Sequence, residues 1–416
     1  MKILHQTRTL PALLPRYVER FRCIGAECED TCCRGWAVTI DKKTFKAYRE
    51  VKHPELRSNV VKSLSHQHSQ ATPDNYARIK LDSESGACPF TQQGLCSVQK
   101  NLNESYLSHT CFSFPRHSRN FGGQYEQALS LSCPEAARQA LLSRDAFDFT
   151  EELITVRMEK VGKVGSVHGV SLELMNEIRI LCLKLVKTED LVLWERLAVL
   201  GLFCECLTEL LTKGKQAEIP SLLANTVTLI EQGDIKTTLS SMQPDYRSQA
   251  VVFASLWSGA GFAANSAIQK SPVQEAIVKA ISRGLGADPE TGHASHDQIV
   301  EAYMTGLKRL PEALKVAPFL LEHFVLNEMF RDLFPFKGNS PYEAFLQLIS
   351  QFGLLRLMLA AQCNSGDTLP DETVLVHTAH VFYRRFQHDL RFAQVNQALK
   401  NSGLGKLEKV YGFLRT

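Results

Sequence analysis

The chain has 416 residues, enough for two or three domains, and its 44% apolar and 22% charged residues are typical of a soluble globular protein. The net charge of +3 is too small for a nucleic-acid-binding surface, so we expect no nucleic-acid partner. Residues 1–23 carry charges throughout and lack the apolar core of a secretory signal peptide, which predicts a cytoplasmic protein.

The first elements along the chain are short. Residues 10–21 contain Pro11 and Pro15, which predict an extended or turn-rich entry rather than a helix. Residues 36–40 read as a strand, and Asp41 then has the position of an N-cap for a helix over residues 42–51.

Strands and turns are also predicted in the next hundred residues. Residues 76–82 alternate apolar and polar side chains, which predicts a half-buried strand. Gly122 and Gly123 separate two strand-like runs and predict a β-hairpin. Pro134 follows Cys133 and predicts the first turn of a helix.

From about residue 148 onward the pattern is helical, with apolar residues at helical spacing in eight runs. These runs are residues 173–187, 191–212, 219–232, 272–285, 298–307, 317–334, 342–362 and 373–399. We therefore predict a mainly α protein, in which a small cysteine-rich α+β metal domain (residues 1–147) precedes a large all-α domain (residues 148–416).

The longest uncharged stretch, residues 248–269, has roughly the length of a transmembrane helix. It contains serines, glycines, Asn265 and Gln269, so a buried helix pair or a broken helix is the better interpretation. We therefore predict no transmembrane segment. The sequence leaves peripheral membrane association and oligomer formation open.

Eight of the twelve cysteines lie between residues 23 and 133. They are Cys23, Cys28, Cys32, Cys33, Cys88, Cys96, Cys111 and Cys133. In a reducing compartment such a group indicates thiolate ligands of a metal rather than disulfides. Because four thiolates complete one zinc site or one four-iron cluster, either two sites form or some of the thiols are not ligands.

The cysteine spacing favours an iron–sulfur or iron site, with zinc as the alternative metal. Zinc fingers usually contain C-x2-C pairs, and this sequence has none. The C-x3-C-x2-C run of radical S-adenosylmethionine enzymes begins at Cys28 and Cys32, but Gly35 occupies its third position.

Other residues near the cysteines fit a metal site. Cys133 would meet free backbone N–H groups at the start of its helix. Arg34 and Arg116 either offset the negative charge of the site or face solvent. The remaining cysteines lie in apolar helical runs and are expected to be small buried hydrophobes: Cys182, Cys204, Cys206 and Cys363.

The order of these motifs resembles a known family. C-I-G-A-E-C-E-D-T-C-C-R-G-W, C-P-F-T-Q-Q-G-L-C, L-S-H-T-C-F-S-F-P-R and L-S-C-P-E-A-A resemble the flagellin lysine-N-methylases, and also the small cysteine-rich zinc- or iron-chelating proteins. Three C-terminal runs, at residues 195–203, 321–336 and 383–388, extend the resemblance over nearly the whole chain.

The resemblance implies a cytoplasmic methyltransferase. The enzyme would move a methyl group from S-adenosylmethionine to lysine ε-amines of flagellin, and would need a cysteine-bound iron–sulfur cluster of the 4Fe-4S type. The sequence itself contains no glycine-rich nucleotide motif after a strand that would support the cosubstrate independently.

Polar residues on the C-terminal helices are candidates for the catalytic pocket. One set is Glu322, His323 and Asn327, and the other is Arg384, Arg385 and His388. The alternative for both sets is structural hydrogen bonding and surface charge. The alternative function is a non-catalytic zinc- or iron-chelating protein with a helical domain that docks on a partner.

Overall fold

The computed structural model of the chain describes residues 3–36, 38–67, 71–232, 234–259, 271–288, 290, 292–387 and 391–416. It consists of two compact units. The first comprises Met1–Gln139, Asp148–Lys163 and Phe262–Val278, and the second comprises Ala140–Phe147, Val164–Gly261 and Lys279–Thr416. The fold is mainly helical with a small sheet region near the N-terminus, which confirms the predicted class.

The first unit contains the strands of the protein and several short helices. Its elements are β1 (Arg8–Pro15), α1 (Arg16–Arg20), β2 (Thr39–Ile40), α2 (Lys42–Arg49), α3 (Pro54–Ser63), β3 (Leu64–His66), β4 (Ala77–Ile79), β5 (Thr91–Gln92), β6 (Leu95–Cys96), α4 (Ser97–Asn101), α5 (His109–Ser113), β7 (Arg116–Phe121), β8 (Gln124–Leu129), α6 (Pro134–Leu142), β9 (Phe149–Val156) and β10 (Val161–Val164). Helix α6 and strand β10 begin in this unit and end beyond its boundary.

A five-stranded sheet in the order β10-β7-β8-β1-β9 forms one part of the first unit. Strand β1 pairs along its whole length with β9, from Arg8 opposite Val156 to Pro15 opposite Phe149. The all-α expectation for residues after 148 is therefore wrong at β9 and β10. The pattern of β9 is weak because Ile154 and Val156 are its buried side chains, while most of the strand faces outward.

The prediction of an extended or turn-rich segment at residues 10–21 is confirmed only in part. Residues up to Pro15 are extended, but α1 then forms a short helix at Arg16–Arg20. Three local predictions are confirmed. The Asp41 side chain caps α2 by accepting a hydrogen bond from the Thr44 N–H at 2.8 Å, Gly122 and Gly123 connect β7 and β8, and α6 begins at Pro134.

The second unit is a helical bundle. Its helices are α7 (Leu172–Lys187), α8 (Leu193–Thr212), α9 (Ile219–Gln232), α10 (Asp234–Ser240), α11 (Tyr246–Gly259), α12 (Pro272–Gly284), α13 (His296–Ala313), α14 (Leu320–Arg331), α15 (Pro341–Cys363), α16 (Glu372–Phe386), α17 (Arg391–Asn401) and α18 (Leu407–Leu414). Helix α12 starts in the first unit and ends in this one. Each of the eight predicted runs contains a helix, and α11 overlaps the uncharged stretch that was interpreted as a helix pair or a broken helix. Helices α10 and α18 were not predicted.

Helix α15 is the central helix of the bundle. It is long and apolar enough to cross a membrane by length and composition, but 94% of its most apolar window is buried inside the protein. This burial is that of a core helix. The uncharged stretch noted in the sequence instead begins in α11, and its residues 260–269 lie outside the described residues.

Two glycines allow neighbouring helices to approach α15 closely. A Cβ on Gly306 of α13 would lie 2.1 Å from the carbonyl oxygen of Ala360. A Cβ on Gly284 of α12 would lie 1.8 Å from the carbonyl oxygen of Ala361. Backbone atoms cannot rotate away as side chains can, so these contacts require glycine.

We expect Gly306→Ala to lower the stability of the protein by about 1–3 kcal/mol, because α13 must shift away from α15. Thermal unfolding followed by circular dichroism measures this change. Gly366→Ala is the matched control, since no atom lies within 4 Å of its added Cβ. Equal melting temperatures for the two variants would contradict the close approach.

Candidate metal centre

The eight N-terminal cysteines fall into two groups in the first unit. The first thiol set is defined by Cys23, Cys28, Cys32 and Cys133. Burial raises the pKa of the Cys28 thiol to about 12, and negative charge on Cys133 and Cys23 adds to the increase. These three thiols are therefore close enough to repel one another as thiolates.

Cys133 lies directly before α6, as the sequence predicts. Burial raises the pKa of its thiol to about 11, while backbone N–H groups of Glu135 and Ala136 oppose the increase. An ion pair between Arg138 of α6 and Glu29 attaches the Cys28–Cys32 loop to this helix. The start of α6 and the Cys28–Cys32 loop thus hold their thiols close to one another.

The second thiol set is defined by Cys33, Cys88, Cys96 and Cys111. All four pack in one small hydrophobic core, built from elements β2 to α5. The Cys88 N–H donates a hydrogen bond to the Cys33 carbonyl oxygen at 2.7 Å, and Cys96 pairs with Thr91 in the β5–β6 ribbon. The backbone therefore fixes the segments that carry these thiols.

Electrostatic interactions within the second set agree with its packing. Burial raises the pKa of Cys111 to about 12, and charge on Cys33 and Cys96 adds to the increase. Burial also raises the pKa of Cys88, with further contributions from Cys33 and Cys111. These thiols can all be deprotonated together only if a nearby cation offsets their charge.

Cys32 lies at the boundary between the two sets. A hydrogen bond with Cys33 and burial raise the pKa of its thiol, and charge on Cys111 and Cys133 adds to the increase. We assign Cys32 to the first set because it is not part of the hydrophobic core in which Cys33 packs.

The two arginines noted in the sequence have different surroundings. Arg116 lies over the Phe21 ring at 5.4 Å. Burial lowers the pKa of its guanidinium, and negative charge on Glu104, Cys23 and Cys133 opposes this decrease. Arg34 is partly buried and forms a backbone bridge with Ala87, beside Cys88. Arg116 is thus the arginine that can offset charge in the first thiol set.

A cavity of about 380 Å³ opens in the first unit beside Arg116. Its wall contains two phenylalanines, Phe21 and Phe112, together with cationic and anionic side chains. The charged residues are Glu19, Arg22, Glu104, Arg116, Glu152, Arg157 and Lys160. Its volume lies within the range of small-molecule sites. This cavity was not predicted from the sequence, because β1, α5, β7 and β9 all contribute to its wall.

A further group of possible metal ligands was not predicted. His5, Asp41 and His109 are buried, and among the described residues their ligand atoms form the one such group within 4.8 Å of one another. The Asp41 carboxylate, however, accepts hydrogen bonds from the N–H and hydroxyl of Thr44, whose hydroxyl also contacts His5 Nε2 at 2.7 Å. Because these hydrogen bonds already engage Asp41 and His5, the three residues form part of the N-terminal cap of α2.

The structure places the predicted catalytic candidates in the second unit. Glu322 accepts a hydrogen bond from Arg196 at 2.6 Å. His323 is buried, donates from Nδ1 to the Ala140 carbonyl oxygen at 2.9 Å and stacks on Phe319. These contacts stabilise the helix packing, and the catalytic role of both residues stays a prediction.

The remaining candidates are on or beside α16. Asn327 is fully buried and donates to the Tyr383 hydroxyl at 3.2 Å. Arg384 and Arg385 are partly buried near the end of α16, and burial lowers the pKa of Arg385 to about 10. His388 lies outside the described residues.

The four C-terminal cysteines lie on helices as expected. Cys182, Cys204 and Cys363 are buried, and Cys206 is partly exposed. Burial raises the pKa of the Cys182 thiol, which is the behaviour of a protonated core residue.

Comparison with known proteins identifies the family. Residues 179–413 match the model of the FliB lysine N-methylase C-terminal domain. The chain belongs to the FliB lysine N-methylase family. It is 24% identical over 387 residues to the lysine-N-methylases of Salmonella typhimurium (strain LT2) and Salmonella choleraesuis, covering 91% of this chain and 92% of each relative. These relatives support lysine methylation as its reaction.

A third relative matches a shorter part of the chain. The flagellar biosynthetic protein FliU of Salmonella muenchen is 38% identical over 146 residues, which cover 33% of this chain and 81% of that protein. No solved structure matches the chain.

We expect Asp41→Ala to lower the free energy of unfolding by about 1–2 kcal/mol at pH 7, because α2 loses its cap. Burial alone would raise the pKa of Asp41, but the Thr44 hydrogen bonds and the adjacent histidines keep that pKa below its usual value. The ionised carboxylate therefore stabilises the fold above the unfolded-state pKa of Asp, and this contribution is lost as the pH falls through the folded-state value.

Urea denaturation at pH 7 and at about pH 3, below the ordinary pKa of Asp, measures this effect. Asp371→Ala is the control, because Asp371 caps α16 at an exposed position. The difference between wild type and Asp41→Ala should decrease at the lower pH. A difference that increases on acidification would contradict the proposed role of the ionised carboxylate.

Proposed function

We propose that the protein is a cytoplasmic, S-adenosylmethionine-dependent lysine N-methyltransferase that acts on flagellin, with an iron–sulfur cluster of the 4Fe-4S type bound by the first thiol set. The observation that carries the proposal is the polar cavity lined by Arg116 and by Arg22, which precedes Cys23 in the chain. The flagellar name of the FliU relative and the FliB family assignment support flagellin as the substrate.

The thiol groups support a cluster over zinc. With Zn–S bonds of about 2.3 Å, a tetrahedral zinc site holds its sulfurs about 3.8 Å apart. Among the described residues no three cysteine sulfurs lie within 4.8 Å of one another, since the only such group is the histidine–aspartate one. A four-iron cluster needs wider spacing, because each thiolate binds a different iron.

The first thiol set is the more accessible of the two. Cys23 is exposed, and the other three thiols are partly buried. When bound there, a cluster would supply a one-electron redox centre and negative charge beside the cavity. Negative charge at this point favours the cationic sulfonium of the donor and the cationic side chain of a lysine.

The cavity offers complementary groups for S-adenosylmethionine. Arg116 can pair with the donor carboxylate, and Glu104 can pair with its ammonium group. Phe21 and Phe112 provide aromatic surface for the adenine ring or the sulfonium. The lining thus carries charges of both signs, as a zwitterionic ligand requires.

Lysine methylation requires the free amine to lie in line with the donor methyl group. The nitrogen lone pair forms the new N–C bond while the C–S bond breaks, and the sulfonium becomes a neutral thioether. The nitrogen must also release one proton. We propose Glu152 on β9 as the acceptor, because its carboxylate lines the cavity and is exposed to an incoming lysine.

The substrate and the reaction are tested by coexpression with flagellin and mass spectrometry of the flagellin. We expect mass increments of methyl groups on lysines with wild type and none with Cys28→Ser, while Cys206→Ser behaves as wild type. Unmodified flagellin in the wild-type sample would exclude it as the substrate. Equal methylation with Cys28→Ser would show that the first thiol set is not needed.

Binding of S-adenosylmethionine in the cavity is tested by calorimetric titration of the anaerobically purified protein with this ligand. Arg116→Met should weaken binding by about 10- to 100-fold, because one charge-assisted hydrogen bond is lost. Arg144→Met is the control, since Arg144 is exposed and pairs with Glu189 in the second unit. Unchanged affinity in Arg116→Met would place the donor elsewhere.

A further inference from the structure

The two thiol sets occupy different structural environments. The second set belongs to the small core that includes Val38, Ile40 and Phe90, and none of the first set packs in that core. The first set is instead located where the Cys28–Cys32 loop meets the start of α6, connected by the Glu29–Arg138 ion pair. Each set therefore has its own scaffold within the first unit.

One four-iron cluster cannot use both sets. Such a cluster is bound by four thiolates, so four of the eight thiols would remain without metal. The remaining thiols would be those of the second set, in which Cys88 is fully buried and Cys33, Cys96 and Cys111 are partly buried. Four soft ligands in one small core match the requirement of a closed, structural metal site.

We propose that Cys33, Cys88, Cys96 and Cys111 bind a second metal centre, separate from the cluster of the first thiol set. The inference rests on the proposed function for the existence of that first cluster. The ligand is a second iron–sulfur cluster, because no three sulfurs of this set, all of them among the described residues, lie within 4.8 Å of one another, as a zinc site would require. The adjacent residues Cys32 and Cys33 then bind different centres.

The surroundings of the second set support a negatively charged thiolate centre. Arg157 is almost fully buried and lies over the Phe112 ring at 4.1 Å, next to Cys111 in the chain. Its guanidinium is fixed by donation to the Leu107 carbonyl oxygen at 2.8 Å. A buried cation next to these thiols offsets the excess negative charge of four thiolates around a metal.

Strands and turns from three separated segments close around the second set. Cys33 follows the first loop, Cys88 precedes the β5–β6 ribbon, Cys96 is the last residue of β6, and Cys111 is in α5. A metal bound by all four would cross-link these segments. Because the elements between them are short, we expect this centre to stabilise the small core.

The test is metal analysis of the full-length protein purified anaerobically, with iron, acid-labile sulfide and zinc measured per chain. Two clusters would give about eight irons and about eight sulfides per chain. This result supports two centres. About four irons in wild type, with or without zinc, or zinc alone, overturns the proposal.

Serine variants then assign the centres. Cys96→Ser and Cys111→Ser should each remove the second centre and leave the iron of the first, whereas Cys133→Ser should do the reverse. Cys206→Ser is the control, because this partly exposed cysteine lies in the second unit. Loss of the same metal in Cys96→Ser and Cys133→Ser would indicate one shared centre. If a variant does not fold, as judged by circular dichroism, the wild-type metal count still decides between one centre and two.

The proposed second metal centre and the proposed methylation of flagellin can be contradicted independently of each other. A wild-type protein with one centre that still methylates flagellin overturns the second centre and leaves the function intact. A protein with two centres that leaves flagellin unmodified retains the second centre and overturns the function.

Discussion

The packing of the N-terminal unit depends on how eight neighbouring thiols can lie close together without charge repulsion between them. Burial and mutual repulsion raise the pKa of Cys28, Cys111 and Cys133 to between about 11 and 12, so without a metal these groups stay protonated and uncharged. A bound metal reverses this preference, since it requires thiolates and offsets their charge. The strands around the thiols are only two or three residues long, so thiolate–metal bonds would supply cross-links that a core of this size lacks.

Much of the fold could be predicted from local chemistry. The Asp41 cap, the turn at Gly122 and Gly123 and the helix start at Pro134 each depend on residues within a few positions, and all are confirmed. The long helices of the second unit were predicted because burial on one face imposes a clear period on the sequence. Helix α15 is the exception, because it is buried almost all round and its sequence is a long apolar run without a polar face.

The sheet was harder to predict because its strands depend on distant partners. Strand β1 contains Pro11, which cannot donate a hydrogen bond and usually marks an edge or a turn. Here β1 lies between β8 and β9, and its parallel pairing with β8 involves Ala12 and Leu13, beyond that proline. The strand is therefore compatible with proline, but no local pattern indicates it.

The candidate site shows the same division between local and distant information. The spacing of the cysteines identified all eight thiols as possible ligands, but not how they group, because Cys32 and Cys33 are neighbours in sequence and differ in packing. Likewise, Arg116 was noted as a partner for cysteine charge, whereas its place on a cavity wall needs β7 and β9 in the same sheet. The position of Arg116 relates the first thiol set to the cavity. Its side chain lines a space large enough for a nucleoside-sized ligand, and negative charge on Cys23 and Cys133 would favour its cationic form. A change in the charge of the first thiol set would thus act on a residue of the cavity wall.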